Sequence, residues 1–294
     1  MNRVKEMARL FAPSGLEQAV KEYCIQFCKD MEVVQDGCGN LIFHRPGMGK
    51  RIAYICGMDE QGLFLSHEEK GKFRYCILGN CTADSFDNRQ VLFEYGGKGI
   101  VQKDIVTFLQ GSAKVGESGI VFGDASETEE TLTGNGMVRA ACCEVVLLLA
   151  EEETKGDLWF VFSSLYQMGK KGALVALSRI KPELAFFVEG VSVEKKEEAT
   201  PVTMETGPII KLRDGAFMDT LSLADVLDDC SLSYQLYVSA KQEIQGRPGM
   251  MFGVPTVLIG IPYESERYFV QTIKKSMMEQ TKEIILEIQR RLES

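Results

Sequence analysis

The spacing of apolar residues near the start of the chain predicts a helix followed by strands. Leu16, Val20 and Cys24 recur at helical intervals after the capping-box pattern SGLE at residues 14–17, so we expect a helix over residues 15–30. The segments MEVVQ and LIFHR flank the turn DGCGN and predict a β-hairpin, because Gly and Asn supply the positive φ of a tight turn. The next run, RIAYICGM, is continuously apolar and predicts a strand covered on both faces.

The pattern changes between residues 61 and 133. Short β-type runs such as KFRYCIL, QVLFEYG and GIVFG are separated by turns rich in Gly, Asn and Asp, and helical periodicity is weak. We therefore expect residues 61–133 to form a small β-rich domain. This domain would be inserted into a larger, discontinuous domain made of residues 1–60 and 134–294.

Strands and helices alternate again after residue 134, which predicts an α/β fold. The helical pattern RAACCEVVLLLAEE is followed by the strand pattern DLWFVFSS, the helical pattern KGALVALSR and the strand pattern ELAFFVE. Such alternation is typical of a mostly parallel sheet with helices on both faces. An apolar stripe from Phe269 to Ile288 predicts one long helix over residues 266–292 that packs on the sheet.

The composition excludes several classes of protein. A chain of 294 residues with 45% hydrophobic residues can bury an ordinary core, so a disordered protein is excluded. A net charge of −9 and a pI near 5.0 argue against nucleic-acid or anionic-membrane partners, which need clustered Lys and Arg. Nine irregularly spaced cysteines favour reduced thiols, and no apolar run suits a signal peptide, so we expect a cytoplasmic location.

The order of the segments resembles the tetrahedral, dodecameric aminopeptidases. That family includes the glutamyl aminopeptidases and belongs to the dinuclear zinc exopeptidases. The resemblance implies a three-layer α/β/α fold with a mixed sheet, an inserted PDZ-like dimerisation domain, self-association, and two divalent metal ions, Zn or Co, as the family's cofactors. It extends over nearly the whole chain and rests on APSGLE at 12–17, DGCGNLIFHRPG at 36–47, GMDEQG at 57–62, GNG at 134–136, GKKGA at 169–173, YQLYVS at 234–239 and GVPTVLIGIP at 253–262.

The resemblance also implies where the family's site would lie, and the first two positions depart from the pattern. A His-x-Asp motif supplies one metal ligand, and its match here is Gly57 followed by Met58 and Asp59. Asp59 is kept, but the ligand that it would orient is missing. A bridging Asp in an Asp-Asp-Arg turn is matched by Cys142 and Cys143 within RAACCEVV, so we expect the bridge to be absent.

The remaining positions depart in a similar way. Tyr166 and Gln167 stand where a Glu-Glu pair supplies the general base and a ligand. Tyrosine has an ordinary pKa of about 10 and keeps its proton at neutral pH, while an amide carries no ligand charge. Glu189 keeps the acidic ligand that closes a core strand, whereas Arg267 replaces the final His with a permanent cation.

These replacements make a catalytically inactive aminopeptidase-like protein, a pseudoenzyme, the leading hypothesis. We expect no bound metal, since His44 and His67 are the only histidines, lie outside metal-binding motifs and are expected to be exposed. Such a protein would serve as a structural or regulatory oligomer subunit. It would associate with itself through the inserted domain or with a catalytically complete relative.

Two alternatives stay open. In the first, an enzyme keeps a remodelled site in which a metal ion is bound, or in which a cysteine is the nucleophile; the residues that would converge there are Cys142, Cys143, Asp59, Glu189 and Cys56. Asp59 and Glu189 are weak metal candidates by themselves. In the second, the old pocket binds an amino acid or peptide, with Arg267 and Tyr166 holding a carboxylate. Arg267 could instead neutralise Glu189.

Overall fold

The larger part of the protein is a mixed β-sheet covered by helices. The structure is a computed structural model and describes residues 2–28, 30–153, 155–194, 199–240, 247–266 and 268–293. Its sheet strands are β1 (Glu32–Gln35), β2 (Leu41–Arg45), β3 (Arg51–Gly57), β10 (Ser126–Glu127), β11 (Thr131–Gly134), β12 (Asp157–Ser163), β13 (Leu184–Ser192), β14 (Ile209–Arg213), β15 (Gln235–Val238), β16 (Thr256–Glu266) and β17 (Val270–Lys274). Their order is β1-β2-β12-β3-β13-β16-β17-β11-β10, with β14 pairing with β16 and β15 with β14.

Helices cover both faces of this sheet, which confirms the predicted three-layer α/β fold. They are α1 (Asn2–Ala8), α2 (Gln18–Ile25), α4 (Met137–Glu151), α5 (Lys171–Ile180), α6 (Leu223–Val226), α7 (Arg247–Phe252) and α8 (Met277–Glu293), whereas the short α3 (Ala83–Phe86) belongs to the barrel described below. On one face α4 packs against α1, α8 and the sheet, and α5 packs with α7 on the other face. Among the described helices, none is both long and apolar enough to span a membrane.

The centre of the sheet is parallel and fully buried. Strand β3 lies between β12 and β13 and runs parallel to both, and β13 is parallel to β16. The apolar run of β3 is buried from Ile52 to Cys56, as expected for a strand covered on both faces. Because parallel strands end at the same edge, the residues after β3, β12 and β13 meet there.

The chain before β3 contains one confirmed and one corrected prediction. Strands β1 and β2 form the expected antiparallel hairpin, and Asp36 accepts hydrogen bonds from the backbone N–H groups of Cys38 and Asn40 in its turn. The predicted helix over residues 15–30 is shorter, since α2 spans Gln18–Ile25. The capping box is wrong, because the Ser14 hydroxyl bonds to the distant carboxylate of Asp59.

A separate small β-barrel confirms the predicted β-rich unit. Its strands are β4 (Gly62–Glu69), β5 (Lys72–Leu78), β6 (Gln90–Phe93), β7 (Lys98–Gln102), β8 (Ile105–Gln110) and β9 (Ser118–Val121), closed in the order β4-β5-β8-β7-β6-β9. Strands β10 and β11, which follow the barrel in sequence, pair within the large sheet. The domain boundaries at residues 61 and 133 and the dimerisation role stay predictions.

The predicted helix over residues 266–292 is wrong in its first part. Val270–Lys274 forms β17, which pairs with both β16 and β11, and helix α8 begins at Met277. Phe269 does not belong to the helical stripe, since its ring lies 4.7 Å from that of Phe86 in the barrel core. Two neighbouring strands satisfy the backbone of β17, and a helix at this position would leave their edges unpaired.

Candidate functional site

A cleft of about 450 Å³ opens at the edge where the parallel strands end. Gly57 closes β3, Tyr166 follows β12, and Glu189 lies on β13. The start of α4 contributes a further wall through Val138 and Cys142. The predicted site residues that line this cleft are Gly57, Asp59, Cys142, Tyr166, Gln167 and Glu189.

Two predicted site residues do not contribute to the lining. Cys143 lies in the core behind the cleft, with its Sγ 3.8 Å from the Sγ of Cys56 and 3.5 Å from the carbonyl oxygen of Gly57. Arg267 lies outside the described residues. Burial raises the pKa of Cys142 well above its ordinary value, so its side chain is a thiol rather than a thiolate.

The ring of Tyr166 lies directly on the backbone of Gly57. A Cβ atom added at Gly57 would lie 2.5 Å from Cδ1, 2.7 Å from Cγ and 2.9 Å from Cβ of Tyr166. These separations are shorter than any carbon–carbon van der Waals contact. The tyrosine ring therefore fills the space into which any side chain at this position would extend.

Glu189 is bound by two neighbouring side chains in the cleft. The hydroxyl of Tyr166 donates a hydrogen bond to its Oε1, and the ammonium of Lys170 lies 3.2 Å from the same atom. The Lys170 Nζ also lies 3.3 Å from the centre of the Tyr166 ring. Burial raises the pKa of Tyr166, and the negative charge of Glu189 raises it further, so Tyr166 keeps its proton.

Lys170 is a residue of this site that the sequence did not reveal. Burial lowers the pKa of its ammonium, and the neighbouring Glu189 opposes that shift. It precedes α5 with φ of 61°, in the left-handed region, and its backbone N–H donates to the carbonyl oxygen of Tyr166 at 2.9 Å. This turn directs a lysine into the cleft, whereas the next residue, Lys171, is exposed. The motif GKKGA does not distinguish the two.

Arg139, on the first turn of α4, was also missed. Its Nη2 donates to the carbonyl oxygens of Met7, Ala8 and Leu10 at 2.8, 3.4 and 3.3 Å and to the carboxylate of Glu60. Within the described part of the chain, its Nε and Nη1 have no partner. Burial raises the pKa of Glu60, and the guanidinium of Arg139 opposes that rise.

Asp59 is almost completely buried at the base of the cleft. Its Oδ2 accepts hydrogen bonds from the Ser14 hydroxyl and, at 2.9 Å, from the backbone N–H of Gln167. Its Oδ1 is buried and has no partner among the described residues. Burial raises the pKa of Asp59 to about 7, although both hydrogen bonds oppose the shift.

The raised pKa of Asp59 predicts that the folded protein loses stability as the pH rises from about 4 to about 7. The folded state holds a proton on Asp59 up to a pKa of about 7, whereas in the unfolded chain this group ionises near pH ~3.9. Between these values the folded state binds more protons, so its free energy of unfolding falls by about 1.4 kcal/mol per pH unit from this group. Asp59→Asn removes that dependence.

Urea unfolding of the wild type and of Asp59→Asn at several pH values from 4 to 7 gives the free energy of unfolding of each protein. The effect is measured as the change with pH in the difference between these two free energies. We expect the variant to gain stability relative to the wild type as the pH rises. Glu68→Gln, at an exposed position on β4, serves as the control and should follow the wild type. A wild type and Asp59→Asn that run parallel across this range would contradict the assigned titration.

The family model of the M42 glutamyl aminopeptidases matches residues 112–284, more than half of the chain. This protein belongs to the M42 family. A candidate aminopeptidase of Acetivibrio thermocellus is 25% identical over 97% of this chain and 96% of its own. The membership confirms the resemblance that the sequence motifs indicate.

Solved structures of M42-like peptidases show the same fold. A TET aminopeptidase from a marine sediment archaeon of the Thaumarchaeota superposes with a TM-score of 0.89 at 19% identity, over 100% of this chain and 96% of its own. The TET1 peptidase of Pyrococcus horikoshii, which can assemble into a tetrahedron or a large octahedral shell, superposes with a TM-score of 0.85 at 20% identity, over 98% of both chains.

The side chains in this M42 cleft do not fit a pair of divalent metal ions. Across the described ranges, no group of three or more His, Cys, Asp or Glu residues is placed to hold a metal ion. Glu189 is bound by Lys170 and Tyr166. His44 lies elsewhere, half-buried rather than exposed as expected, with its Nε2 2.6 Å from Asp157, and His67 is exposed on β4.

Proposed function

We propose that this M42 family member is a catalytically inactive aminopeptidase-like protein that serves as a structural or regulatory subunit. The observation that supports this most strongly is the packing of Tyr166 on Gly57, together with its hydrogen bond to Glu189. The tyrosine ring fills the space of a side chain at residue 57, which the resemblance assigns to a metal ligand, and its hydroxyl and the Lys170 ammonium contact the acidic side chain of Glu189.

The same contacts leave the position that the resemblance assigns to the general base without a side chain that could activate water for peptide hydrolysis. Tyr166 keeps its proton because burial and Glu189 both raise its pKa. The amide of Gln167 cannot accept a proton at neutral pH. The Oε1 of Glu189 already contacts two donors, the Tyr166 hydroxyl and the Lys170 ammonium at 3.2 Å.

The cysteine alternative has less support. A nucleophilic cysteine needs a thiolate and a neighbouring base, and burial raises the pKa of both Cys142 and Cys56. Neither histidine lines the cleft among its described residues. Cys143 and Cys56 are buried behind the cleft and out of reach of a substrate.

Metal loading combined with an activity assay tests the proposed lack of catalysis. The protein is incubated in turn with Zn²⁺, Co²⁺ and Mn²⁺, freed of unbound ion, and assayed with a panel of aminoacyl anilides. We expect less than one ion per chain and no turnover above that of buffer, with an active M42 aminopeptidase as the positive control. Stoichiometric metal together with turnover would refute the proposal.

We further propose that the protein associates with itself through the barrel. The barrel exposes large apolar side chains at Tyr95, Leu109 and Val115, which are 77%, 59% and 55% exposed. The assembly of the P. horikoshii relative into closed shells is consistent with this. The alternative to self-association is a mixed assembly with a catalytically complete relative. Native mass spectrometry of the two co-expressed chains distinguishes self-association from mixed assembly. A strictly monomeric protein would contradict both arrangements.

The cytoplasmic location stays a prediction.

A further inference from the structure

We infer that the cleft binds a free α-amino acid in its zwitterionic form and releases it unchanged. This inference rests on the proposed absence of catalysis, because a working hydrolytic centre would need the same side chains for another purpose.

Unpartnered polar atoms are concentrated around this cleft. The residues that line it include Asp59, Gln61 and Arg139, whose Oδ1, Oε1, Nε and Nη1 atoms are buried and have no hydrogen-bond partner among the described residues. A buried polar atom left unpaired is destabilising, so native proteins keep few of them. Both acceptors and donors are left over beside the cleft.

The charged pair on the cleft floor fits the two ends of a zwitterion. Lys170 and Glu189 contact each other through Nζ and Oε1 at 3.2 Å, and their side chains are 11% and 8% exposed toward the cleft. A ligand carboxylate beside Lys170 and a ligand ammonium beside Glu189 would give each side chain a second charged partner. Charge-assisted hydrogen bonds of this kind are roughly twice as strong as neutral ones.

The same pair favours a free amino acid over a peptide. In a peptide the carboxylate next to the terminal ammonium is replaced by a neutral amide, so Lys170 would not gain its second negatively charged partner. When a peptide binds, the Lys170 ammonium loses its contact with water and gains only a neutral amide, so the affinity for the peptide is lower. A ligand with only an amine or only a carboxylate would satisfy just one member of the pair.

The dimensions and walls of the cleft agree with an occupant of this size. Its volume of about 450 Å³ falls in the range of small-molecule sites, and its lining is about equally polar and apolar. An apolar wall for a side chain is available beside the charged floor. It is formed by Val138, Val188, Val191 and Phe269.

Isothermal titration calorimetry tests the inference on the full-length protein freed of metal with a chelator. The probes are each of the common amino acids, acetate and methylamine as the separate halves, and the dipeptide of the tightest-binding amino acid. We expect saturable binding of at least one amino acid and at least tenfold weaker binding of its dipeptide and of both halves. Absence of binding by every amino acid, or equal binding of the dipeptide, overturns the inference.

Two variants locate the binding in the cleft. Lys170→Met is expected to weaken amino-acid binding at least tenfold, while Lys171→Met, at the exposed neighbouring position, leaves it unchanged. Glu189→Gln keeps the shape of the side chain and should weaken binding by a similar factor, so it replaces Lys170→Met if that variant does not fold. Unaltered binding in a folded variant overturns the inference.

The two proposals fail in different measurements. Turnover of aminoacyl anilides by the metal-loaded protein refutes the lack of catalysis, whatever the calorimetry shows. Absence of amino-acid binding in an inactive protein refutes the ligand and leaves the lack of catalysis intact.

Discussion

Replacing Arg139 by Met is expected to lower the free energy of unfolding by about 3–5 kcal/mol, the usual cost of removing one partner of a buried ion pair. The guanidinium and the Glu60 carboxylate are only 5% and 10% exposed. Without the cation, Glu60 would be a buried acid without its charged partner. The backbone carbonyl groups of Met7, Ala8 and Leu10, at the end of α1, would lose the donor that holds them to α4.

Chemical denaturation of Arg139→Met and of a matched variant measures this effect. Arg9→Met is the control, because it removes the same charge from an exposed side chain at the end of the same segment. We expect it to change the free energy of unfolding by less than about 0.5 kcal/mol. Similar losses in both variants would show that net charge, rather than the buried contacts, controls the stability.

Replacing Gly57 by Ala is expected to lower the free energy of unfolding by about 1–3 kcal/mol, although the change adds a single methyl group. The new carbon would lie within 2.9 Å of three atoms of Tyr166, including its Cβ. These atoms lie near the root of the side chain, so rotation about its outer bonds cannot relieve the overlap. Tyr166 would have to move and weaken its hydrogen bond to Glu189.

Two further variants separate this overlap from a general effect of alanine. Gly37→Ala, in the hairpin turn, adds its methyl group to open space and should leave stability nearly unchanged. In a Tyr166→Ala background, Gly57→Ala should cost less than in the wild type, since the contacts with Cγ and Cδ1 are gone. An equal cost in both backgrounds would contradict the proposed contact.

The sequence predicts most of the fold because the fold depends on local patterns. The alternation of helical and strand periods identifies α4, β12, α5 and β13 in order, and the parallel orientation of β12 and β13, on either side of β3, follows from that order. The helix prediction is wrong for the segment before Met277 because the segment is short. Over such a length its apolar residues fit the helical period and the strand period equally well. Pairing of β17 with β11 and β16 decides the outcome, and β11 is distant in sequence.

The site is less predictable from sequence, since its contacts join distant segments. The order of the family's motifs predicts that Gly57, Tyr166 and Glu189 lie near the cleft. It does not predict how these three residues pack against one another. The same limit explains the wrong capping assignment of Ser14, whose hydroxyl bonds to Asp59. Lys170 was missed because lysines are normally exposed, and only the left-handed turn before α5 buries this one.

The ammonium of Lys170 is attached to the chain by covalent bonds, and this has a consequence for the charge balance of the cleft. A diffusible counter-ion occupies such a place only in proportion to its free concentration and its affinity. The covalently attached ammonium has an effective concentration that is set by the geometry of the folded chain. The positive charge beside Glu189 is therefore present from the moment the protein folds, independent of the ions that surround it.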